Sequence, residues 1–239
     1  MSKSFATPGG RVVCALSDVN FALEEGQILS ILGHNGSGKT TLLNCVRQVF
    51  SFDAGEITVA GSRLNGQRAN IVSVFQDVSL GVVPSMTAFE NLALAKSSGA
   101  NDFLWSFPAT RYQVAISEFL READLEDRFD AYRHTPVAEL SGGQRQQLAL
   151  LMAMVRIGDT QASPAILCLD EFVANLDPVV KEDILGWSRG WIRRKRITTI
   201  MVTHDHALAE RWGDLVLELT DGRVTRFSKA NNAHSEVSP

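Results

Sequence analysis

The stretch QILSILGHNGSGKT, residues 27–40, decides the fold of this chain. Its first six residues form a mainly apolar run of the length expected for a buried strand, and helical periodicity follows from about Gly38 to Phe50. The turn between them, Gly33 to Thr40, matches the pattern G-x-x-x-x-G-K-[ST] in the strand–loop–helix setting that this pattern requires. A chance match arises about once per hundred chains of this length, so the stretch predicts a phosphate-binding loop.

Each residue type in this loop has a physical role in holding a phosphate. Glycines let backbone N–H groups converge on phosphate oxygens, and the helix N-terminus adds a favourable dipole. Lys39 is expected to reach the β- and γ-phosphates, and the Thr40 hydroxyl is expected to bind Mg²⁺. The other candidates for nucleotide contacts are the remaining loop residues and the threonine after them: His34, Asn35, Gly36, Ser37, Gly38 and Thr41.

A second apolar run, Ala165 to Leu169, ends in two carboxylates, Asp170 and Glu171. Asp170 at the carboxyl end of a strand is placed to hold Mg²⁺ through water. Glu171 is the natural group to polarise an attacking water. By itself, a strand that ends in two acids also fits a solvated strand end. The phosphate loop earlier in the chain favours the catalytic interpretation.

Further apolar runs extend an α/β pattern along the chain. Ile71 to Phe75 and Thr198 to Val202 suit buried parallel strands with helices between them. Antiparallel character is predicted around this core, in the alternating run 12–23, the β-rich run 56–60 and the run 215–227. The last of these turns at Asp221-Gly222, a strong hairpin signal.

The part of the chain from about Asp77 to Ile157 is predicted to be helical. Thr87 and Glu90 have the spacing of a capping box, and helical periods recur further along. We therefore expect one domain over residues 1–227, with a helical subdomain of about residues 78–157 inserted into the α/β core. The polar, aperiodic end, residues 228–239, is predicted to be a flexible tail.

Composition excludes several classes of protein. The chain has 239 residues and a formal net charge of −4, so there is no general electrostatic case for nucleic-acid binding. No apolar run approaches the ~20 residues needed to cross a bilayer, and the first ten residues lack a signal-peptide pattern. Three scattered cysteines do not make a disulfide framework or zinc site; Cys45 and Cys168, in apolar patterns, are predicted to be buried and reduced. These observations predict a cytoplasmic protein.

The string Leu140 to Gln144, LSGGQ, precedes another helical run. Ser141 suits a helix N-cap, and the two glycines after it leave the helix N-terminus open to an anion. By itself, Ser-Gly-Gly also fits a flexible capped turn. Placed between a phosphate loop and an Asp-Glu strand, the string resembles the signature motif of ATP-binding cassette (ABC) proteins.

The resemblance covers about residues 3–227 and implies the α/β fold of a P-loop NTPase (RecA-like) core with an antiparallel β subdomain and an inserted helical subdomain. It implies ATP as the nucleotide and Mg²⁺ as the metal. Gln76 is similar to the Q-loop glutamine that senses Mg²⁺ and the attacking water, Asp177 to the D-loop aspartate, and His204 to the switch histidine that contacts the γ-phosphate. The signature residues expected to contact ATP are Ser141, Gly142, Gly143 and Gln144.

The resemblance also implies partners. Residues 84–87 and 90–95 are similar to a bacterial group encoded with a separate permease and an extracytoplasmic binding protein, and some members are labelled tryptophan/tyrosine importers. The implied function is the energy-coupling ATPase of an importer, peripheral on the inner face of the cytoplasmic membrane. A second copy of the chain would close its signature over the phosphate loop, and the dimer would dock on transmembrane permease subunits.

Two other functions stay open at this point. One is a soluble ABC ATPase that serves an assembly or repair complex without a membrane. The other is a binding module without ATPase activity, against which the intact Lys39, Asp170, Glu171 and His204 argue.

The sequence departs from its relatives at the N-terminus. Most of the class has a short apolar strand before the stretch that starts here at Ser2, whereas this sequence begins almost at Phe5. Phe5 is the candidate for the aromatic ring that stacks on adenine. Since only four residues precede it, we expect it to be weakly anchored and to contribute little to binding.

Three other features are unusual. Phe172, Val173 and Asn175 replace commoner residues and are expected to alter the packing of the D-loop without removing a catalytic group. The basic run 193–196 is predicted to be a solvated helix C-terminus. The aromatic residues in 103–107 fit either the core of the helical lobe or a partner-facing patch.

Overall fold

The computed structural model describes residues 1–63, 70–97, 109–158 and 165–231. The strands in these ranges are β1 (Lys3–Ala6), β2 (Val12–Leu16), β3 (Ile28–Leu32), β4 (Thr58–Val59), β5 (Ser62–Arg63), β6 (Asn70–Val74), β7 (Ala165–Asp170), β8 (Thr198–Val202), β9 (Leu215–Thr220) and β10 (Arg223–Lys229). The helices are α1 (Lys39–Val46), α2 (Ala88–Lys96), α3 (Gln113–Glu122), α4 (Glu126–Asp130), α5 (Gly142–Gly158), α6 (Pro178–Arg194) and α7 (His206–Trp212). The aromatic residues in 103–107 lie outside the described ranges.

The described chain divides into two compact units. The first comprises residues 1–63, 70–73, 165–171 and 192–231, and the second comprises 74–97, 109–158 and 172–191. The second unit contains the predicted helical subdomain but also most of α6, which lies outside the predicted bounds 78–157. The reason is packing within that unit: the ring of Trp191 on α6 lies 6.3 Å from that of Phe119 on α3, and Arg128 on α4 pairs with Asp183 on α6.

A six-stranded sheet organises the α/β part, in the order β10-β9-β3-β8-β7-β6. β3 runs parallel to β8 and β9, β7 runs parallel to β8, and β10 pairs antiparallel with β9. All five residues of β3 are buried, as expected for a parallel strand covered on both faces. The predicted α/β fold is confirmed.

The core of the first unit forms where α1 packs on this sheet. Leu42 and Leu43 of α1 are fully buried in one cluster with residues of β3, β7, β8 and β9. Cys45 and Cys168 lie in the same cluster as buried free thiols, as predicted. Burial raises the pKa of the Cys168 thiol to about 12.

The N-terminus is tied into the structure, contrary to the sequence-based expectation. β1 pairs antiparallel with β2, and Phe5 lies opposite Val13. Before the strand, Ser2 bridges to Ala54, and the Met1 ammonium donates to the Val19 carbonyl oxygen at 2.8 Å. The expectation that Phe5 is weakly anchored is therefore wrong: its partners come from residues 12–19 and 53–54 rather than from a preceding strand.

The second unit is helical, and its best-defined start is the predicted capping box. Thr87 Oγ1 accepts a hydrogen bond from the Glu90 N–H, and the Glu90 carboxylate accepts one from the Thr87 N–H, at 3.2 and 2.7 Å. α2 then packs against the long helix α5. Among the described residues, no helix is both long enough and apolar enough to span a membrane.

The C-terminal hairpin forms as predicted but is longer. β9 and β10 turn at Asp221-Gly222, and β10 continues to Lys229. The predicted tail is therefore wrong for its first residues: Ser228 and Lys229 pair with β9, and the Ala230 N–H donates to the Asp214 carbonyl oxygen at 2.8 Å. Residues 232–239 lie outside the described ranges. The basic run 193–196 is exposed at the end of α6, as predicted, and within it Arg193 pairs with the Asp214 carboxylate through both Nη atoms.

Candidate functional site

The predicted phosphate loop joins β3 to α1 in the first unit. Lys39, the first residue of α1, is buried, and its Nζ donates to the carbonyl oxygens of Gly33 at 2.6 Å and His34 at 2.9 Å. The ammonium group thus lies over the loop, where the positive end of the α1 dipole adds to its charge. Residues 34–36 and Thr40 are exposed and accessible to an anion and its metal.

The loop backbone is packed too closely for side chains at two of its glycines. A Cβ at Gly33 would lie 2.5 Å from the Leu219 carbonyl oxygen, and one at Gly38 would lie 2.6 Å from that of Ala15. Ser37, between them, is fully buried, and its hydroxyl has no hydrogen-bond partner among the described residues. A buried polar group without a partner is costly, and a phosphate oxygen at the loop would supply the missing acceptor. The loop therefore fits a nucleotide.

The predicted carboxylates and the predicted switch histidine come together beside the loop. β3, β8 and β7 are neighbouring parallel strands, so their carboxyl ends share one edge of the sheet. Backbone bonds join these ends: the Glu171 N–H donates to the Val202 oxygen at 3.0 Å and the Thr203 N–H to the Ile31 oxygen at 3.1 Å. Glu171 Oε1 lies 3.5 Å from His204 Nδ1. An acid and a histidine are thus held next to the phosphate loop.

Asp170 has an environment that suits a cation. Burial raises the pKa of its carboxyl, with Glu171 adding to the rise, while Arg47 and Lys39 oppose it. The ionised carboxylate is therefore disfavoured by its surroundings, and a bound cation would relieve that cost. This chemistry fits Mg²⁺ at Asp170, with the exposed Thr40 hydroxyl as the second predicted ligand.

The signature string begins α5 in the second unit. Ser141 Oγ accepts from the Gln144 N–H at 3.2 Å, and Gln144 Oε1 accepts from the Ser141 N–H at 2.9 Å, which makes a second capping box. Gly142 has open space where a Cβ would be, whereas a Cβ at Gly143 would lie 2.8 Å from a methyl group of Val180 on α6. The exposed start of this helix can receive an anion.

Two further predicted residues belong to the second unit. Gln76 follows β6 and is exposed, next to Asp77, whose carboxylate has a lowered pKa because it accepts hydrogen bonds from Ser79. Asp177 is also exposed; its Oδ1 accepts from the Val179 N–H at 2.9 Å at the start of α6. Their placement beside the phosphate loop stays a prediction.

The unusual D-loop residues divide between the interior and the surface. Phe172 and Val173 are buried, with exposed fractions of 2% and 3%, whereas Asn175 is exposed. The first two are therefore interior side chains. Neither supplies a group that a nucleotide could contact.

Phe5 lies on a strand with defined neighbours. Its ring contacts that of Phe50 at 5.4 Å in a T-shaped arrangement, and the Lys3 ammonium lies 5.1 Å from its centroid. Asp53 fixes this segment, because its carboxylate accepts from the Ser4 N–H at 2.6 Å and from Lys3 Nζ at 3.3 Å. A half-buried ring held in this way can serve as a stacking platform.

Comparison with known proteins identifies the family. Residues 16–174 match the family model described as "ABC transporter". This chain belongs to the ABC transporter family. The phosphate loop, the Asp-Glu strand and the signature are the parts of an ABC ATPase, so the chain is the ATPase of an ABC transporter.

Individual relatives agree with this placement. A "Tyrosine transport ATP-binding protein" of Clostridioides difficile is 38% identical over 94% of this chain and 88% of its own length. The "Methionine import ATP-binding protein MetN" of Photorhabdus laumondii is 31% identical over 90% of this chain, which spans 60% of that protein. One bacterial ABC transporter cassette has been solved in two dimeric forms, one of them bound to ADP and Pi. These forms superpose with TM-scores of 0.76 and 0.74 at 28% and 26% identity over 96% of both chains.

Some residues near the ABC site were not found from the sequence. Arg47, at the end of α1, opposes the rise in the pKa of the Asp170 carboxyl through its positive charge. Asp53 accepts a hydrogen bond from the Ser4 N–H and so holds the strand of Phe5 in place. The signal for Arg47 was a basic residue one helix length after the phosphate loop. Asp53 gave no sequence signal, because its partners lie 49 and 50 residues away in the chain.

Proposed function

We propose that this ABC ATPase hydrolyses Mg·ATP as the energy-coupling subunit of an importer. The observation that carries the proposal is the pairing of Glu171 with His204 at 3.5 Å, at the sheet edge that also bears the phosphate loop. An acid–histidine pair next to a phosphate loop suits attack by water on the terminal phosphate.

The residues of the first unit divide the work as follows. Lys39, the Ser37 hydroxyl and the loop amides would bind the phosphates, while Thr40 and Asp170 would hold Mg²⁺. Mg²⁺ bound there would supply charge neutralisation for the phosphoryl group that is transferred. Glu171 orients the attacking water and accepts its proton.

Two side chains complete the proposed reaction centre. His204, which sits against Glu171, donates a hydrogen bond to the γ-phosphate. Gln76 of the second unit would bind Mg²⁺ and the water, as the resemblance implies.

The signature is proposed to act on the nucleotide of a second copy of the chain. The support is its exposed, capped helix start with open space at Gly142, which can take a phosphate from outside the unit. The ABC cassette bound to ADP and Pi is a dimer, which favours the same arrangement here. Asp177 would then lie near the subunit interface.

The importer assignment rests on the relatives. One is named for methionine import and another for tyrosine transport. We propose that the dimer docks on transmembrane permease subunits at the inner face of the cytoplasmic membrane and serves an extracytoplasmic binding protein. An amino acid is the first cargo to test. Co-expression with candidate permease subunits tests the docking, and a chain that never copurifies with a membrane protein would favour an assembly or repair role.

Glu171→Gln tests the catalytic proposal. The amide keeps the size of the side chain but cannot accept the proton, so phosphate release should fall by on the order of 10²–10⁴ while ATP still binds. Glu25→Gln, at an exposed glutamate before β3, is the matched control and should keep wild-type turnover. Near-normal phosphate release from Glu171→Gln would contradict the assignment of Glu171.

A further inference from the structure

The turn of the C-terminal hairpin packs against the phosphate loop. Asp221 and Gly222, between β9 and β10, have φ values of 48° and 75°, the positive pair of a two-residue hairpin turn. The Gly222 N–H donates to the Ser37 carbonyl oxygen at 3.0 Å, and the Gly222 carbonyl oxygen accepts from the Ser17 N–H at 2.8 Å. One glycine of this turn thus bridges the phosphate loop and the end of β2.

No side chain fits between these three segments. A Cβ at Gly222 would lie 2.6 Å from the Ala15 carbonyl oxygen, the same atom that a Cβ at Gly38 would meet at 2.6 Å. The Cβ position of Gly38 is also only 3.5 Å from the Gly222 Cα. Outside this contact, Asp221 Oδ1 lies 3.8 Å from His34 Nε2. The loop therefore rests on the turn at two of its residues.

This contact fixes the direction of a loop amide. The peptide bond between Ser37 and Gly38 is planar and trans, so its C=O and N–H point in opposite directions. When the Gly222 N–H holds the Ser37 oxygen towards the turn, the Gly38 N–H points away from the turn. Gly38 is the N-cap of α1, where free N–H groups serve as anion donors.

We propose that Gly222 is a positioning residue for nucleotide binding. Without touching the nucleotide, it aims the Gly38 N–H and keeps the loop in its phosphate-binding shape. This inference rests on the proposed placement of the phosphates on residues 33–40.

The chain contains a matched control for this idea. The turn between β4 and β5 has the same geometry, with φ of 49° at Ala60 and 76° at Gly61, but nothing lies within 4 Å of a Cβ at Gly61. Gly61→Ala and Gly222→Ala therefore carry the same backbone strain. They differ in that only the second pushes on Ala15 and displaces the turn from the loop.

The first experiment measures ADP affinity by calorimetry on the full chain, well below its melting temperature. Gly222→Ala should weaken ADP binding by about tenfold or more, the worth of one hydrogen bond to a charged group. Gly61→Ala should stay within about twofold of wild type, because distant sites act independently. If the two glycine variants bind ADP equally well while Lys39→Ala loses ADP binding, the proposed role of Gly222 is refuted but the phosphate site is not. A wild type that binds no ADP would overturn the phosphate site itself.

The second experiment needs no variant and decides the matter if Gly222→Ala does not fold. Amide hydrogen exchange of the wild type is followed by NMR with and without ADP. Ordering of the loop should slow exchange of the Gly222 N–H, which is bound to Ser37, and leave the Gly61 N–H unchanged. Slower exchange in loop 33–40 with no change at Gly222 would refute the proposal, because a merely structural turn would not respond to the nucleotide.

Discussion

Replacement of Phe5 by alanine is the sharpest test of how this protein holds the base of ATP. From the sequence alone, Phe5 belonged to a mobile terminus, and ordering it at about 1–2 kcal/mol per residue would have cancelled most of any stacking energy. In the structure this ordering cost does not count against ATP binding, because the segment is already ordered. β1 is paired with β2, Asp53 holds the Ser4 N–H, and Phe50 packs against the ring.

Phe5→Ala is therefore expected to lose nearly the full stacking energy of the ring on the base. Stacking of an aromatic ring on a base is worth about 1–3 kcal/mol, which corresponds to roughly 5- to 150-fold in affinity. Because the strand is ordered on folding, nearly all of this stabilisation should appear in binding. We expect Phe5→Ala to weaken ATP binding by about tenfold to a hundredfold. Stacking accepts any base, so GTP should bind within about tenfold of ATP.

The assay is equilibrium binding of ATP in the Glu171→Gln background, where hydrolysis does not interfere. Phe5→Tyr keeps the ring and should bind like the parent. Phe227→Ala removes a partly exposed phenylalanine from β10, 42% exposed, and should have no effect. Asp53→Asn should show part of the Phe5→Ala loss, because it weakens the bonds to Ser4 and Lys3. A loss below about threefold in Phe5→Ala, beside a full loss in Lys39→Ala, would refute stacking on Phe5.

Three further predictions concern the assembly, the metal site and the thiols. Mixing a Lys39→Ala chain with a Ser141→Arg chain should restore ATPase activity that neither variant has alone. The reason is that one of the two sites in the mixed dimer keeps an intact phosphate loop and an intact signature. Wild-type activity of Ser141→Arg alone at every protein concentration would contradict a site shared between two subunits. Asp170→Asn should raise the melting temperature in EDTA at neutral pH while abolishing hydrolysis. Because the pKa of the Asp170 carboxyl is raised above 3.8 in the folded state, its ionisation destabilises the fold as the pH rises from that value. The gain in melting temperature of Asp170→Asn should therefore shrink as the pH falls towards 3.8. A gain that does not depend on pH would refute this explanation. In the native protein an alkylating reagent should modify the exposed Cys14 and leave the two buried cysteines unmodified, as measured by mass spectrometry of peptides. Rapid labelling of Cys168, whose pKa is raised to about 12, would contradict the structure.

The proposed catalytic groups could be located from the sequence because each is local in the chain. The loop 33–40 and the Asp170-Glu171 pair carry their chemistry in consecutive residues, and the strand before each sets its position at the sheet edge. The anchoring of Phe5 could not be predicted in this way. It depends on Asp53 and Ala54, about 50 residues away, in a stretch without strand periodicity. Helix α6 joined the second unit for a similar reason, since its contacts with α3 and α4 are between side chains distant in sequence.

The glycines of the phosphate loop show that a motif can have more than one physical cause. Their role predicted from the sequence is to let backbone N–H groups converge on phosphate oxygens. In the structure, Gly33 and Gly38 are already required by the scaffold, because the Leu219 and Ala15 carbonyl oxygens occupy the space of a Cβ. Gly36 has no neighbour within 4 Å of its Cβ position and faces outward. A substitution at Gly38 therefore disturbs the turn at Gly222 as well as the nucleotide, and its effect cannot be assigned to phosphate contacts alone. At Gly36, where no scaffold contact competes, the loss in a variant reports on the loop conformation and the nucleotide only.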